Sequence, residues 1–404
     1  MLTPAGSCRV PAGDVPSDER ARRSWRDRWS DWRNRLLASA RFRRWASGFV
    51  LTRPIARRRA AALFDLVAGF VYSQVLQACV RLRLFDLLAD GALSLPQVAQ
   101  GVGLSGPACE RLLCAAASLQ LVERRRDGRW ALGVLGATLA GDRAISALVE
   151  HHAALYADLA DPVALLRDEQ GATQLAQWWP YAVAAQPADL PPDRVAAYSA
   201  LMSASQPLVA EQVLDAVRLD RHRCLLDVGG GEGVFLSAVA ERAPQLRLML
   251  FDLPAVAALA RARLGAAGLA ERVAVVGGDF LRQPLPLGAD VATLVRVVHD
   301  HDDAFALALL QAVRAALPPG GRLLLAEPMA GTPGAGAMGD AYFGFYLLAM
   351  RSGRPRTVAQ LRALLLAAGF ERVQVLPTRQ PLQCGLLSAW VPADTRVGPD
   401  VNLT

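Results

Sequence analysis

From residue 223 onward the apolar and polar positions alternate between two periods. RCLLDVGG, LRLMLFDL, RVAVVGGD, VATLVRVV and GRLLLAEP are short runs, apolar almost throughout, and stretches of helical period separate them. Strands that are apolar on both faces are buried on both faces, so this half predicts a parallel sheet between two layers of helices. RVQVLPT and CGLLSAWV add two strands and close an α/β domain placed at 221–395.

Before residue 220 the period is helical. AALFDLVAGFVYSQVLQACVRLRLFDLLADG predicts a long helix followed by a shorter one. The next stretch, SLPQVAQGVGLSGPACERLLCAAASLQLVERRRDGRWALGVLG, predicts helix, turn, helix and a small hairpin turning at Asp127-Gly128. That is a winged-helix layout over 61–140. Residues 141–220 are mostly helical and broken by QPADLPPDR. At the other end, residues 1–18 are rich in Pro, Gly and Ser and are expected to be disordered. RRSWRDRWSDWRNRLLASARFRRWASGFVL then predicts an Arg-rich helix, with Trp25, Trp29, Trp32 and Leu36 on one face. Residues 1–60 thus form a basic arm.

Composition sharpens this picture. Hydrophobic residues make up 53% of the 404, enough for a large core and two domains. No apolar run reaches the roughly 18–20 uninterrupted residues of a spanning helix, and the N-terminus lacks a signal-peptide layout. The six cysteines form no CxxC pair and fit the reduced thiols of a cytosolic protein. Residues 20–60 hold fourteen Arg against Asp27 and Asp31, so a net +7 chain has a mildly acidic body. Lys is absent throughout, which reads as genome composition rather than as a site property.

A winged helix often binds DNA. The helix that would enter the groove, GPACERLLCAAASLQ, carries one Arg and many apolar side chains, where a groove reader displays polar and basic tips. Packing or dimerisation is the expected role, with no nucleic-acid partner. A DNA-binding regulator remains the remote alternative.

The first strand of the α/β domain runs into a glycine turn in which Asp227, Gly229, Gly231 and Gly233 form D-x-G-x-G-x-G. Such a turn lets a ligand approach the backbone. A dinucleotide fingerprint would put its third glycine where Val234 stands, and an acidic residue before the glycines repels a pyrophosphate. Asp252 ends the next strand, where a carboxylate can take both ribose hydroxyls. Asp279 and Phe280, one strand further, can pair with an adenine amino group and pack on its ring. S-adenosylmethionine, a nucleoside with a sulfonium and no phosphate, fits this series.

The other unusual stretch is LVRVVHDHDD, residues 294–303, which holds two of the five histidines. A metal site is a poor reading, because neighbours on an extended segment point apart and no distant ligand pattern completes a set. Asp302 or Asp303 can cap the helix that follows. Neither reading accounts for His299, which ends a strand where ligands of such sheets bind and could accept a proton there.

In order, LLDVGGGEG, FDLPAV, GGDF, VVHDHDD, LPPGGRLLLAEP and SGRPRT resemble the motifs of the metal-independent O-methyltransferases related to plant caffeate and acetylserotonin enzymes. The resemblance extends over about 60–390. Within that family, VVHDHDD and GDAYFGFYLLAMRSGRPRT look most like the bacterial methyltransferases of carotenoid 1-hydroxyls. The resemblance implies a class I methyltransferase domain, Rossmann-like, with an N-terminal winged-helix dimerisation domain and a homodimer. It implies His299 as proton acceptor, Glu327 as its orienting carboxylate and Arg296 as a further cofactor residue. Tyr198, Met202, Tyr346 and Met350 match positions that line the acceptor pocket. This sequence departs from the family's HDW at His301, and from its GKERT-like motif at Pro355.

The acceptor implied is a hydroxylated carotenoid; the alternative is an aromatic or polyketide hydroxyl. A long polyene dissolves in membrane, so the Trp- and Arg-rich residues 20–60 are expected to contact an anionic bilayer peripherally, from a cytoplasmic protein.

Overall fold

A computed structural model of the chain describes residues 24–169, 171–178, 192–381 and 384–393. They form two compact units that divide between Leu76 and Gln77. In the first unit lie α1 (Trp25–Ala38), α2 (Ala40–Gly48) and most of α3 (Arg53–Arg81). Where the periodicity predicts one Arg-rich helix, the chain breaks at Ser39. Its backbone is extended, with φ −69° and ψ 120°, and its hydroxyl accepts a hydrogen bond from Phe42 N at 3.5 Å. One serine therefore ends a helix and caps the next. By length and composition, α3 is apolar enough to cross a membrane, although Asp65 interrupts it. This amends the expectation drawn from uninterrupted runs. Leu63, Phe64, Leu66, Val67 and Phe70 on α3 are exposed and form apolar surface that needs a partner.

The second unit opens with α4 (Leu84–Ala89), α5 (Leu95–Val102), α6 (Gly106–Ser118), β1 (Val122–Arg124) and β2 (Trp130–Leu132), the winged helix that the pattern predicts. Ser94 and Gln97 form a capping box at the start of α5, and the Ser105 hydroxyl caps α6. Gly128, at φ +85°, supplies the left-handed position that the hairpin turn requires. The face of α6 that carries Cys109, Leu113 and Ala116 is buried, while Arg111 is exposed.

Helices α7 (Val134–Leu139), α8 (Arg143–Asp158), α9 (Pro162–Leu166), α10 (Gln174–Trp178) and α11 (Pro192–Ala216) follow. Most of QPADLPPDR lies outside the described residues.

The α/β domain then runs β3 (Cys224–Val228), α12 (Val234–Arg242), β4 (Arg247–Asp252), α13 (Pro254–Ala266), β5 (Val273–Gly277), β6 (Val291–Val295), α14 (Asp303–Ala316) and β7 (Arg322–Glu327). After it come the short β8 (Met329–Ala330), α15 (Phe343–Met350), the short β9 (Arg356–Thr357), α16 (Val358–Ala367), β10 (Glu371–Leu376) and β11 (Gly385–Trp390). All seven expected strands form one sheet, in the order β10-β11-β7-β6-β3-β4-β5. It is mixed rather than wholly parallel, because β11 runs antiparallel to both β10 and β7. A parallel partner for β10 would need a crossover, and the short connection to β11 leaves room only for a hairpin.

Period two divides the core. Leu226 and Val228 face one layer with Leu309, Val313 and Leu365, whereas Leu225 faces the other with Phe235, Leu236 and Val213. From β3 the chain builds outward through β4 and β5, then crosses back to place β6 on the other side of β3. The sheet's switch point therefore lies between β3 and β6, and the crevice at their carboxyl ends is where such a sheet receives a ligand.

Candidate active site

A cavity of about 480 Å³ opens at that crevice, lined by the glycine turn, Asp252, Asp279, Phe280, Arg296 and His301 among others. The turn is glycine for steric reasons. Gly229, Gly231 and Gly233 all have positive φ, and a Cβ on Gly229 would lie 2.8 Å from Val297 Cγ2. Asp252 closes the turn from the neighbouring strand: its Oδ2 accepts from Gly231 N at 2.8 Å and its Oδ1 from Leu253 N at 2.7 Å. Burial nevertheless raises its pKa to about 6. Asp279 accepts from Leu281 N at 2.9 Å and pairs with Arg282, while the Phe280 ring stands edge-on to Phe305 at 5.1 Å. Arg296 follows β6 at φ +60°, an uncommon conformation for a residue with a Cβ. Its guanidinium donates to Ser205 Oγ at 2.7 Å and reaches Met202 Sδ.

Beneath the turn, Asp227 is 1% exposed. Its Oδ1 accepts from Thr293 Oγ1 at 2.7 Å, but its Oδ2 has no donor among the described residues. Burial pushes its pKa to about 7. An orphaned buried carboxylate oxygen, a glycine cradle and the carboxylates of Asp252 and Asp279 on the rim suit a cationic nucleoside and repel a phosphate. S-adenosylmethionine fits this donor set.

Residues 299–303 diverge, each to its own partner. A 3-10 turn, Val298–Asp300, carries His299 out of β6, and the residue is 8% exposed. Its Nδ1 meets Glu327 Oε2 at 2.5 Å and its Nε2 meets Asp300 Oδ1 at 3.1 Å. Glu327 also holds the turn's backbone, since its Oε1 accepts from Val298 N at 2.7 Å and from Val297 N at 3.1 Å. Burial would lower the pKa of His299, but Asp300 and Glu327 together hold it above the ordinary histidine value. His301 instead stacks on Phe305, with ring centroids 4.0 Å apart, and burial lowers its pKa to about 3. A neutral imidazole lying flat on a phenyl ring offers the wall that an aromatic residue would. Asp302 is the helix cap, its Oδ1 accepting from Phe305 N at 2.8 Å, and Asp303 pairs with Arg354 and Arg356. Among the described residues no three metal-ligating side chains converge.

Two participants escape sequence reasoning. Asp300 is 5% exposed and sits on the imidazole nitrogen that faces away from Glu327, yet in sequence it is one of three similar aspartates. The second is the segment 352–356, which takes up four successive carbonyls of the turn. Arg356 donates to Val298 O at 2.8 Å and His301 O at 2.7 Å, Arg354 N to His299 O at 2.9 Å, and Ser352 Oγ to Asp300 O at 2.6 Å. Gly353 has φ +77°, and a Cβ there would collide with His299 O. The only hint in the sequence was the likeness of SGRPRT to a family motif.

The four expected acceptor residues separate. Met202 lines the cavity. Tyr346 is buried on α15, with its hydroxyl 2.8 Å from His151 Nε2. Met350 is 2% exposed and packs in a core cluster with Leu155, Leu165 and Leu175, so it does not line the described cavity. The helices α8, α9 and α10 cover its face of α15, and an unbranched thioether fills the gap. Tyr198 lies in α11, and its side chain is outside those described.

With this geometry in hand, comparison with known proteins decides the family. Residues 156–371 match the O-methyltransferase domain and residues 64–142 the O-methyltransferase dimerisation domain. The chain belongs to this O-methyltransferase family. It is 46% identical over 360 residues to demethylspheroidene O-methyltransferase of Cereibacter sphaeroides, covering 89% of this chain and 94% of that one. The enzyme of the same name from Rhodobacter capsulatus is 41% identical, covering 88% of each. Among solved structures, human N-acetylserotonin methyltransferase in complex with SAM superposes with a TM-score of 0.69 at 25% identity, covering 83% of this chain and 98% of that one. The chain is therefore an S-adenosylmethionine-dependent O-methyltransferase with a class I methyltransferase fold. Its dimerisation domain supports a homodimer, and the exposed apolar face of α3 extends into the matched region.

Proposed function

We propose that this methyltransferase transfers a methyl group from S-adenosylmethionine to the 1-hydroxyl of a hydroxylated carotenoid, as a cytoplasmic homodimer at the membrane face. Kinship with two demethylspheroidene enzymes supports the acceptor. The observation that carries the chemistry is His299, held through Nδ1 by Glu327 at the switch point of the sheet. Asp252 takes the ribose hydroxyls, Asp279 and Phe280 the adenine, and Arg296 borders the methionine end with Gly229 and Gly231. Asp227, through its orphaned oxygen, answers the ligand's positive charge.

When bound, S-adenosylmethionine supplies a methyl group that is already electrophilic, so the protein's part is alignment and proton transfer. Glu327 fixes the Nδ1–H tautomer of His299 and leaves Nε2 to accept. Asp300 occupies that nitrogen in this structure, so the entering hydroxyl takes the place of its carboxylate. A tertiary alcohol is far less acidic than a phenol. Its proton therefore passes to Nε2 as the carbon–oxygen bond forms, and no free alkoxide is needed.

A detergent-dispersed hydroxycarotenoid incubated with protein and methyl-labelled donor should acquire the label, and a phenolic acceptor should not. Label on the phenol alone would move the reading to an aromatic or polyketide hydroxyl. Asp252→Ala should weaken binding of the methyl donor by ~2–3 kcal/mol, the scale of hydrogen bonds to a charged group. Calorimetry on the folded variant checks this, and wild-type affinity would remove Asp252 from the ribose.

A further inference from the structure

The arm lies ahead of both family-matched regions, which begin at residues 64 and 156, so neither dimerisation nor methyl transfer accounts for it. Its surface is unusual. Trp25, Trp29, Trp32 and Trp45 are 70%, 57%, 52% and 54% exposed. The rings of Trp29 and Trp32 lie 4.9 Å apart on α1, and Trp45 on α2 stacks at 5.1 Å on Phe49, which follows that helix. Val50, Leu51 and Ile55 continue the exposed apolar surface into the start of α3. Around it stand eleven Arg and two Asp between Ser24 and Ala60.

We infer that α1, α2 and the first turn of α3 form a docking surface for an anionic lipid bilayer. The proposal rests, for its purpose, on the reading of the acceptor as a membrane-dissolved polyene. Indole rings favour the headgroup boundary, where their apolar bodies leave water while the ring N–H stays hydrated. Arginine favours anionic headgroups, each residue adding to the attraction. The break at Ser39 yields two short amphipathic helices that bring both sets of groups to the boundary. Charge selects this occupant over a second copy of the arm, because two surfaces of net positive charge repel. Nucleic acid could meet the arginines and the indole faces, but it would leave the exposed Val50, Leu51 and Ile55 in water, whereas a bilayer boundary buries them with the indoles.

The test uses the full-length protein and vesicles of phosphatidylcholine, with or without phosphatidylglycerol. Wild type should co-sediment with the anionic vesicles, less so at high salt, and only weakly with the neutral ones. Replacing Trp25, Trp29, Trp32 and Trp45 together with Ala should weaken partitioning roughly tenfold or more. A second full-length variant, with Arg28, Arg35, Arg41 and Arg44 changed to Gln, should weaken it roughly 10²- to 10³-fold. All eight side chains are exposed, so both variants should keep the wild-type circular dichroism spectrum. Sedimentation of both variants equal to wild type overturns the proposal. So does a change of the dimer to monomer with vesicle binding intact, or binding of a duplex oligonucleotide in place of vesicles. A protein that docks through the arm yet methylates no dispersed carotenoid would keep this proposal and overturn the acceptor reading instead.

Discussion

Replacing His299 with alanine should lower kcat by roughly 10²- to 10⁴-fold, the range for loss of a general base, while affinity for S-adenosylmethionine stays nearly unchanged. The two effects separate because His299 reaches Glu327 and Asp300 and is not among the residues lining the described cavity. Steady-state kinetics and calorimetry on one preparation check both. If turnover survived within a few-fold, alignment alone would drive the reaction and His299 would only position its neighbours.

The same histidine sets the pH dependence. Proton acceptance needs a neutral Nε2, and the two carboxylates hold the imidazole pKa above its ordinary value. The kcat/KM of the wild type should therefore fall as pH drops through a midpoint above about 6.5. Glu327→Gln keeps a hydrogen-bonding amide but removes a charge, so burial regains influence and the acid limb should move to lower pH. A limb that stayed in place would assign the titration to another group.

That dyad shows where sequence reasoning was sufficient. Glu327 ends β7, but β6 stops at Val295 and His299 stands on the 3-10 turn beyond it, not at a strand end as expected. The two still meet because β6 and β7 are neighbours and Glu327 holds that turn. The inner strands were legible because buried strands are apolar on both faces, whereas the edge strand β10 has one buried residue and shows only as a short run rich in valine. The winged helix was legible through its helical period and the turn at Asp127-Gly128, whose preference is local, while the caps Ser94 and Ser105 appear only in the structure. Strand direction was not, since an apolar run such as that of β11 carries no sign of its sense. Ser39 was hidden too, because one serine in a helical period reads equally as an interior residue or as a cap. Met350 was assigned to the acceptor pocket and lies in the core, because methionine serves either place and only neighbouring helices decide. Asp300, Asp302 and Asp303 are one residue type in one short stretch, yet one meets the imidazole, one caps a helix and one pairs with arginines.

Arg356 extends the same lesson and carries the second large effect. It is one of 44 basic residues, and its side chain is nonetheless 1% exposed. Its Nη1 and Nη2 hold Val298 O and His301 O, while Nε donates to Asp303 Oδ1 at 2.8 Å. Changing Arg356 to Met preserves much of the side chain's bulk and removes all three bonds. Asp303 is half exposed, keeps Arg354 and rehydrates, so its loss is small. The two carbonyls cannot move into water without opening the turn. His301 O is left without a donor while Val298 O keeps the His301 N–H at 3.3 Å, so the variant should lose about 1–3 kcal/mol of stability, read from its denaturant midpoint. Arg356→Lys should recover little, because one ammonium on a flexible stem cannot reproduce the planar fork. Where the variant remains folded, kcat should drop roughly 10²-fold through misplacement of His299, with S-adenosylmethionine affinity retained. A variant that lost stability but kept full turnover would make Arg356 a structural residue only. Wild-type stability together with wild-type turnover would mean that the turn is held by Glu327, Ser352 and Arg354 without it.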